Sequence, residues 1–280
     1  MNIPVPVTDL RVLQTGERIL VHFTIPALTT EQLPLPLVRA VDLRFGEDAI
    51  AVDAFEAGPV EVRVPLEGWK GKQITVRVRV QSDSGKWSDY SRALEFTAVD
   101  AVRAPEIVAE SHPRGVRLSW KVADGVKVRV SRRDPAKGEF QVLDEIAGAE
   151  WIDGAAPFGV EQSYVGTAIA GAAESEPSKP VTITPEDKFP PSTPRNLKVV
   201  TGLKTIEVAW EQSPETDTAG YRVYRAEGGG EFERVTDLIV AASFSDARVE
   251  SGKQYRYAVS AVDATGNESE RSEPVEAAAP

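Results

Sequence analysis

The chain of 280 residues contains no cysteine, and this absence removes several kinds of chemistry. Disulfide bonds, thiolate metal sites and cysteine nucleophiles are all excluded. Only two histidines are present, His22 and His112, and no Ser-His-Asp arrangement can be placed around either of them. No glycine-rich loop opens a helix to bind phosphate, because Gly228-Gly229-Gly230 fits a hairpin turn. We therefore predict a non-enzymatic protein with no catalytic residue, no metal site and no cofactor.

Positive charge is also in short supply. Lysine and arginine number 32 against 43 acidic residues, so the net charge is −11, and it is spread evenly along the chain. Nucleic acids and anionic lipids both attract proteins through basic surfaces, so the charge disfavours both as partners. No apolar run approaches the roughly 18–20 residues that span a bilayer, which argues against direct membrane insertion. Proteins and polysaccharides remain as partner classes.

One strand pattern occurs three times. Leu10, Ile107 and Leu197 each precede an aromatic residue by thirteen positions, and each aromatic residue ends an alternating apolar run. These aromatic residues are Phe23, Trp120 and Trp210. Alternation is typical of strands with one buried face, and a repeat of about ninety residues indicates three copies of one domain. The predicted domains are residues 1–100, 101–187 and 188–280, each with its aromatic ring buried between two sheets.

The third domain carries the most complete pattern. Its short alternating segments are separated by Gly, Pro and Asp turns, which is typical of a β-sandwich. The pattern comprises a Pro-rich lead, Trp210, Gly220-Tyr221-x-Val223, and Gly252-x-x-Tyr255-x-Tyr257-x-Val259-x-Ala261. These residues resemble the fibronectin type III family. The resemblance implies an all-β fold of three tandem immunoglobulin-like sandwiches, and a tyrosine corner in which the Tyr255 hydroxyl ties back to the preceding loop.

The same pattern is weaker in the other two domains. Gln162 stands in the second domain where the third has Tyr255, and Ile74 stands at this place in the first. Neither side chain carries a phenol, so we predict a tyrosine corner in the third domain alone. Alternation in the first domain directs four apolar residues to the core and two arginines outward: Ile74, Val76, Val78 and Val80, against Arg77 and Arg79.

The segment Trp87-Ser88-Asp89-Tyr90-Ser91 resembles the W-S-x-W-S box of cytokine receptors, with Tyr90 at the place of the second Trp. In that family the Trp stacks on arginines of the neighbouring strand, which here are Arg77 and Arg79. A cation–π stack contributes about 0.5–1 kcal/mol at an exposed site. Two interpretations stay open. Trp87 and Tyr90 belong either to a receptor-like binding surface or to a strand edge that stacks on itself.

A second candidate surface is the apolar segment Leu33-Pro34-Leu35-Pro36-Leu37 of the first domain. It lies between the second and third strands, in a loop seven residues longer than its counterpart in the third domain. Exposed apolar residues mark interaction surfaces. Alternatively, Leu33, Leu35 and Leu37 fold back and cap the end of the sandwich.

Five acidic residues of the third domain raise the question of calcium: Glu215, Asp217, Asp246, Asp263 and Glu268. Calcium takes six to eight oxygen ligands, usually from a tight loop of alternating aspartates, and no such loop is present. We interpret these residues as solvated turn carboxylates.

The linkers and the chain opening bear on function. Residues 100–104 form a short linker, so the first two domains should abut, whereas residues 185–194 hold four prolines and should be stiff. Residues 4–10 resemble the Pro-rich tether of mature bacterial lipoproteins. We therefore expect an extracellular or periplasmic location, with a lipid anchor on a removed N-terminal segment as one option.

The expected function is a non-enzymatic binding or spacer protein of a bacterial cell envelope. Such a protein, expected to be a monomer, presents loops and domain elbows to an unknown protein or polysaccharide partner. Two alternatives stay open, and all three rest on fold analogy. One is a set of accessory modules of a secreted carbohydrate-active or proteolytic enzyme. The other is a receptor-like module that binds a peptide at the elbow between the first two domains.

Overall fold

The computed structural model describes residues 3–280, and every regular element in them is a β-strand. Met1 and Asn2, which open the predicted first domain, lie outside the described residues. The chain divides into two compact units, one made of the described residues up to Glu110 with Gly115–Pro185, and one made of Ser111–Arg114 with Glu186–Pro280. We keep the names first, second and third domain for the predicted ranges, whose boundaries near residues 100 and 188 stay predictions.

The first domain packs two antiparallel sheets around one core. Its strands are β1 (Arg11–Thr15), β2 (Arg18–Ile25), β3 (Val38–Phe45), β4 (Asp48–Ile50), β5 (Gly58–Pro65), β6 (Gln73–Ser82) and β7 (Leu94–Thr97). One sheet has β2 between β1 and β5, and the other has the order β4-β3-β6-β7. Phe23 on β2 is 2% exposed and shares its apolar cluster with Val76, Val78 and Val80 of β6. Both sheets therefore contribute their inward side chains to one core.

The second domain has its own core. Its strands are β8 (Val108–His112), β9 (Gly115–Ser119), β10 (Lys127–Arg133), β11 (Phe140–Ile146), β12 (Glu150–Asp153), β13 (Gln162–Ala170), β14 (Ala173–Glu174) and β15 (Val181–Ile183). β8, β9 and β12 form a three-stranded sheet, while β10 lies between β11 and β13 in the opposing one. Trp120 is 4% exposed and packs in a cluster separate from that of the first domain, together with Val128 and Tyr164.

A glycine in β13 shows how local packing changes the repeated pattern. Gly166 stands where the third domain has Val259. A Cβ atom at Gly166 would lie 2.7 Å from the Cδ1 atom of Ile107 and 3.1 Å from the Cγ atom of Pro105. Those side chains occupy the space that a valine would fill, so the second domain keeps a glycine at this position.

The third domain repeats the sandwich with three strands facing four. Its strands are β16 (Lys198–Thr201), β17 (Ile206–Ala209), β18 (Thr218–Glu227), β19 (Glu233–Arg234), β20 (Ser243–Asp246), β21 (Gln254–Asp263) and β22 (Val275–Ala278). The sheet orders are β16-β17-β20 and β19-β18-β21-β22. Trp210 is 7% exposed and shares its cluster with Tyr255, Tyr257 and Val259. This is the immunoglobulin-like arrangement that the resemblance implies.

The all-β expectation is confirmed throughout the described residues. None of them belongs to a helix with the length and apolarity needed to cross a membrane.

Candidate functional site

A pair of serines three positions apart fixes the strand edge of each domain. The pairs are Ser88 and Ser91, Ser175 and Ser178, and Ser269 and Ser272, and all six residues are buried. The Ser88 Oγ atom accepts a hydrogen bond from the Val80 N–H at 3.1 Å, and the Ser88 N–H donates to the Val80 carbonyl at 2.9 Å. Ser91 repeats both bonds with Val78, and the other two pairs do the same with their own strands. We call this device the serine clamp.

The serine clamp of the first domain holds Trp87 and Tyr90 against the outward arginines of β6. The Arg79 guanidinium carbon lies 4.7 Å from the Trp87 ring centroid and 4.5 Å from that of Tyr90. The Arg77 guanidinium carbon lies 4.4 Å from the Tyr90 centroid. The four side chains therefore stack in the order Trp87, Arg79, Tyr90, Arg77. We call this stack the arginine–aromatic ladder.

Asp42 on β3 lies beside the ladder and pairs with one of its two arginines, Arg79. Its Oδ2 atom accepts hydrogen bonds from the Arg79 Nε at 2.9 Å and the Tyr90 hydroxyl at 2.7 Å, and its Oδ1 atom accepts from the Arg44 Nε at 2.7 Å. Burial alone would raise the pKa of Asp42, but the bonds from Tyr90, Arg79 and Arg44 hold it below its ordinary value. The ladder is therefore a stack within the chain itself, and a binding role for Trp87 and Tyr90 stays a prediction.

The long loop of the first domain divides its three leucines between two roles. Leu35 is 4% exposed and belongs to the core cluster, and its N–H donates to the Ala27 carbonyl at 2.7 Å. It is a cap, so its place on the expected interaction surface was wrong: the backbone pairing with Ala27 turns this side chain inward. Leu33 and Leu37 remain 47% and 55% exposed.

Two further apolar residues are linked to the segment of Leu33 and Leu37 by backbone hydrogen bonds, made either by the residue itself or by its neighbour in sequence. Leu28 is 38% exposed and precedes Thr29, whose N–H donates to the Leu33 carbonyl at 2.9 Å. Phe55 is 49% exposed, and its carbonyl accepts from the N–H of the residue after Leu37 at 2.8 Å. We call Leu28, Leu33, Leu37 and Phe55 the loop patch. Sequence reasoning missed Phe55, because it lies on a different loop.

Two carboxylates that we expected in solvent are buried. Asp246 is fully buried, and its Oδ2 atom accepts from an Arg225 nitrogen at 2.8 Å and from the Tyr257 hydroxyl at 3.0 Å. Asp263 is 2% exposed and accepts hydrogen bonds from Thr265 and Asn267, so it organises the turn that follows it. The interpretation as solvated turn carboxylates was therefore wrong for both, because internal donors replace water.

The second domain contains the same buried trio as Asp246. Asp153 accepts from an Arg132 nitrogen at 2.7 Å and from the Tyr164 hydroxyl at 2.9 Å. Burial, with the neighbouring Asp153 carboxylate, raises the pKa of Tyr164. A sequence signal for this trio was available, since each Asp ends an aligned strand and each Tyr occupies the same alternating position. The first domain has Val76 at that position and no equivalent trio among its described residues.

Three carboxylates of the second compact unit come within reach of one cation. Oxygen atoms of Asp187, Asp217 and Asp263 lie within 4.8 Å of one another. Burial alone would raise the pKa of Asp263, but hydrogen bonds from Asn267 and Thr265 hold it below its ordinary value. Calcium takes six to eight oxygen ligands, and both Asp263 oxygens already accept hydrogen bonds within its turn. The expectation of no metal site stays a prediction.

No protein-family model matches the chain. Part of it is similar to three bacterial amylopullulanases. The enzyme of Thermoanaerobacterium saccharolyticum is 36% identical over 88 residues, which is 31% of this chain and 7% of the enzyme. That of Thermoanaerobacterium thermosulfurigenes is 36% identical over 85 residues, 30% of this chain and 4% of the enzyme. That of Thermoanaerobacter thermohydrosulfuricus is 33% identical over 98 residues, 35% of this chain and 6% of the enzyme.

Solved structures similar to the chain include three with sandwich domains. The FN1–FN3 domains of chicken CNTN1 are 12% identical with a TM-score of 0.33, over 99% of both chains. The chicken interferon gamma receptor alpha chain is 14% identical with a TM-score of 0.49, over 64% of this chain and 100% of that one. A Fn3-like protein from Clostridium thermocellum is 27% identical with a TM-score of 0.30, over 33% of this chain and 96% of that one.

Each amylopullulanase match is about as long as one sandwich and occupies a small part of a much longer enzyme. This chain therefore matches only a short segment of each enzyme. The facing sheets, the serine clamps and the repeated core aromatics show all-β immunoglobulin-like sandwiches, which is the fold that the fibronectin type III resemblance implies. A non-enzymatic role stays a prediction.

Proposed function

We propose that this chain is a non-catalytic accessory region of a secreted polysaccharide-degrading enzyme, in which tandem sandwiches space and orient the catalytic part. The observation that carries the proposal is the 36% identity over 88 residues to an amylopullulanase. Two further amylopullulanases match over a similar length. The proposal includes an extracellular location. The proposal also agrees with the hydrogen bonding of the most prominent carboxylates. Asp42, Asp153 and Asp246 each accept a hydrogen bond from an arginine side chain of the same chain.

The envelope role expected from the sequence shares the spacing and binding function but assigns it to a different protein. Its basis is the resemblance of residues 4–10 to lipoprotein tethers, which is a short segment of low specificity. Identity over the length of a whole module is stronger support, so we favour the enzyme-associated role. Lipid anchoring stays a prediction.

Within this proposal the loop patch is a contact site for a neighbouring protein domain. Its leucines and its phenylalanine supply aliphatic and aromatic surface, and exposed apolar patches of this kind mark protein contacts. Polysaccharide partners require flat rings with open faces and free hydrogen-bonding groups. The rings of Trp87 and Tyr90 already carry arginines of their own chain, so we favour protein over polysaccharide as the partner of the first domain.

The proposal is tested on the natural polypeptide that carries this chain. We expect its reading frame to encode a glycoside-hydrolase catalytic domain. Deleting the sandwiches should then lower hydrolysis of an insoluble polysaccharide more than hydrolysis of a short soluble oligosaccharide. A matched control replaces the sandwiches by a flexible linker of equal span, which separates spacing from binding. A reading frame with a lipidated cysteine tether and no catalytic domain would instead support the envelope role.

A further inference from the structure

The first two domains share a sheet. β1 of the first domain pairs in parallel with β14 of the second, with Gln14 opposite Ala173 and Thr15 opposite Glu174. The Gly16 N–H also donates to the Glu174 carbonyl at 2.8 Å. One eight-stranded sheet therefore runs through both domains: seven strands follow the path β11-β10-β13-β14-β1-β2-β5, and the eighth, β15, pairs with β13. Hydrogen-bonded pairing of strands fixes both their spacing and their register.

Gln14 joins this pairing to the linker. Although polar, it is fully buried. Its Oε1 atom accepts from the Val99 N–H at 3.0 Å, and its Nε2 atom donates to the Val99 carbonyl at 3.0 Å and to the Asp100 carbonyl at 3.5 Å. The side chain thus pairs with the backbone of Val99 and Asp100, where the first domain meets the linker, in the way that a neighbouring strand would. Without these bonds, a buried donor and a buried acceptor would be left unsatisfied.

Side-chain hydrogen bonds also fix β14 within the second domain. The Glu174 carboxylate accepts two hydrogen bonds from the Arg129 guanidinium, each of 2.9 Å. Bidentate pairs of this kind fix geometry as well as adding energy. Beside them, Arg18 of the first domain forms an ion pair with Glu176 of the second. β14 is therefore tied to β10 within its own domain while it pairs with β1 of the other.

We propose that the first and second domains form one rigid arm, locked at the elbow by the β1–β14 pairing and by Gln14, so that their two cores unfold together. Relative motion is the default for neighbouring domains unless a large apolar interface joins them. Here backbone hydrogen bonds and a buried amide take the place of that apolar area. A cleft of about 740 Å³ beside the elbow, lined in part by Gly16, Lys70 and Glu176, consequently keeps its shape.

Rigidity is tested by a distance measurement on the full chain. The chain has no native cysteine, so engineered cysteines carry spin labels at chosen sites only. Asp83→Cys with Lys137→Cys labels exposed turns of the two domains, and Asp83→Cys with Glu47→Cys gives a reference pair within the first domain. We expect the two distance distributions to be equally narrow. Gln14→Ala should broaden the first distribution and leave the reference unchanged.

Hydrogen exchange of the Val99 amide tests the hydrogen bonds of Gln14 directly. Gln14→Ala should speed exchange of the Val99 amide by about tenfold, because that amide donates to the Gln14 side chain. Gln81→Ala is the matched control. It removes a glutamine that donates to the Gly85 carbonyl at 2.9 Å within the first domain, so it should leave the elbow unaffected. If Gln14→Ala does not fold, Gln14→Leu keeps the buried volume while removing the same bonds.

Coupled unfolding needs a change placed far from the elbow. Leu118→Ala creates a cavity in the second core. The proposal expects amides of β2 in the first domain to lose protection together with those of β10. Faster exchange confined to the second domain would overturn it. So would a broad interdomain distance distribution in the unmodified elbow, or a Gln14→Ala variant whose distribution is as narrow as that of the wild type.

Discussion

The Tyr255 hydroxyl accepts a hydrogen bond from the Glu250 N–H at 3.1 Å, just before β21 begins its run through the core. Gly252 makes the bend between them possible, because its φ of 79° lies in the left-handed region that favours glycine. In the second domain Gln162 occupies the matching position, and its Nε2 atom donates to the Val160 carbonyl at 3.2 Å. The hydrogen bond to the Tyr255 phenol therefore has no equivalent at Gln162 of the second domain or at Ile74 of the first.

Replacing Tyr255 with Phe tests the value of this tie. The ring stays buried while one hydrogen bond is lost, so the free energy of unfolding of the third domain should fall by about 1 kcal/mol. Urea denaturation followed by hydrogen exchange of third-domain amides measures the change. Gln162→Ala is the control, and it should alter the stability of the second domain by less than about 0.5 kcal/mol. An unchanged midpoint for Tyr255→Phe would falsify the role assigned to the corner.

The strands and the cores could be predicted from the sequence because alternation is a local property. Phe23, Trp120 and Trp210 each end an alternating run, and the inward face of such a run meets the opposing sheet wherever the turns allow. The arginine–aromatic ladder was accessible for the same reason, since Arg77 and Arg79 alternate with buried valines. The repeated pattern was enough for the strands and cores, and the resemblance of Trp87–Ser91 to the cytokine-receptor box added the stacking of the ladder.

The parts that could not be predicted depend on contacts between segments distant in sequence. Gln14 gives no sign of its burial, because its partners Val99 and Ala173 follow 85 and 159 positions later. Asp246 looked like a solvated turn residue because its Arg225 and Tyr257 donors lie on other strands. Leu35 and Leu37 have identical side chains two positions apart. Only the pairing of this loop with Ala27 and with Phe55 separates the buried one from the exposed one.

Replacing each of the core tryptophans Trp120 and Trp210 with Phe should lower the free energy of unfolding by different amounts. The Trp120 Nε1 donates to the Gly148 carbonyl at 3.0 Å, whereas the buried Trp210 Nε1 has no hydrogen-bond partner among the described residues. Both substitutions lose ring volume, but only Trp120→Phe also breaks a bond. Trp120→Phe should therefore cost about 1 kcal/mol more than Trp210→Phe. Equal losses, measured by denaturation of the full chain with domain-resolved hydrogen exchange, would contradict this account.

Alkaline stability should depend on Tyr164. Because burial and Asp153 raise the pKa of Tyr164, the unfolded chain releases this proton at lower pH than the folded chain does. The contribution to stability is complete below pH about 10, the ordinary pKa of tyrosine, and is lost as pH rises toward the folded pKa. Tyr164→Phe should lower stability at neutral pH and flatten the alkaline decline of the second domain. Parallel curves for wild type and variant above pH about 10 would rule this out.

Acid stability of the first domain should depend on Asp42. Because hydrogen bonds from the ladder hold the pKa of Asp42 below its ordinary value, its contribution is present above pH about 4 and is lost as pH falls through the folded pKa. Asp42→Asn should remove this part of the acid dependence and loosen the stack of Arg79 on Trp87. Unfolding curves between pH about 2 and 6, read by Trp fluorescence, test the slope. Identical acid slopes would show that the ladder does not depend on this carboxylate.

The three leucines of the long loop should separate stability from binding. Leu35→Ala removes a core side chain and should lower the free energy of unfolding by about 2–5 kcal/mol. Leu33→Ser and Leu37→Ser change exposed side chains, so each should alter stability by less than about 0.5 kcal/mol. If the loop patch contacts a neighbouring domain of the natural polypeptide, these two substitutions should weaken that contact, measured by calorimetric titration of the neighbouring domain against this chain. Leu203→Ser is the control, because Leu203 is 96% exposed and belongs to the third domain. Equal effects of Leu33→Ser and Leu203→Ser on binding would mean that the loop patch does not contact the neighbouring domain. Weakened binding by Leu35→Ala alone would mean that the loop acts only as a cap.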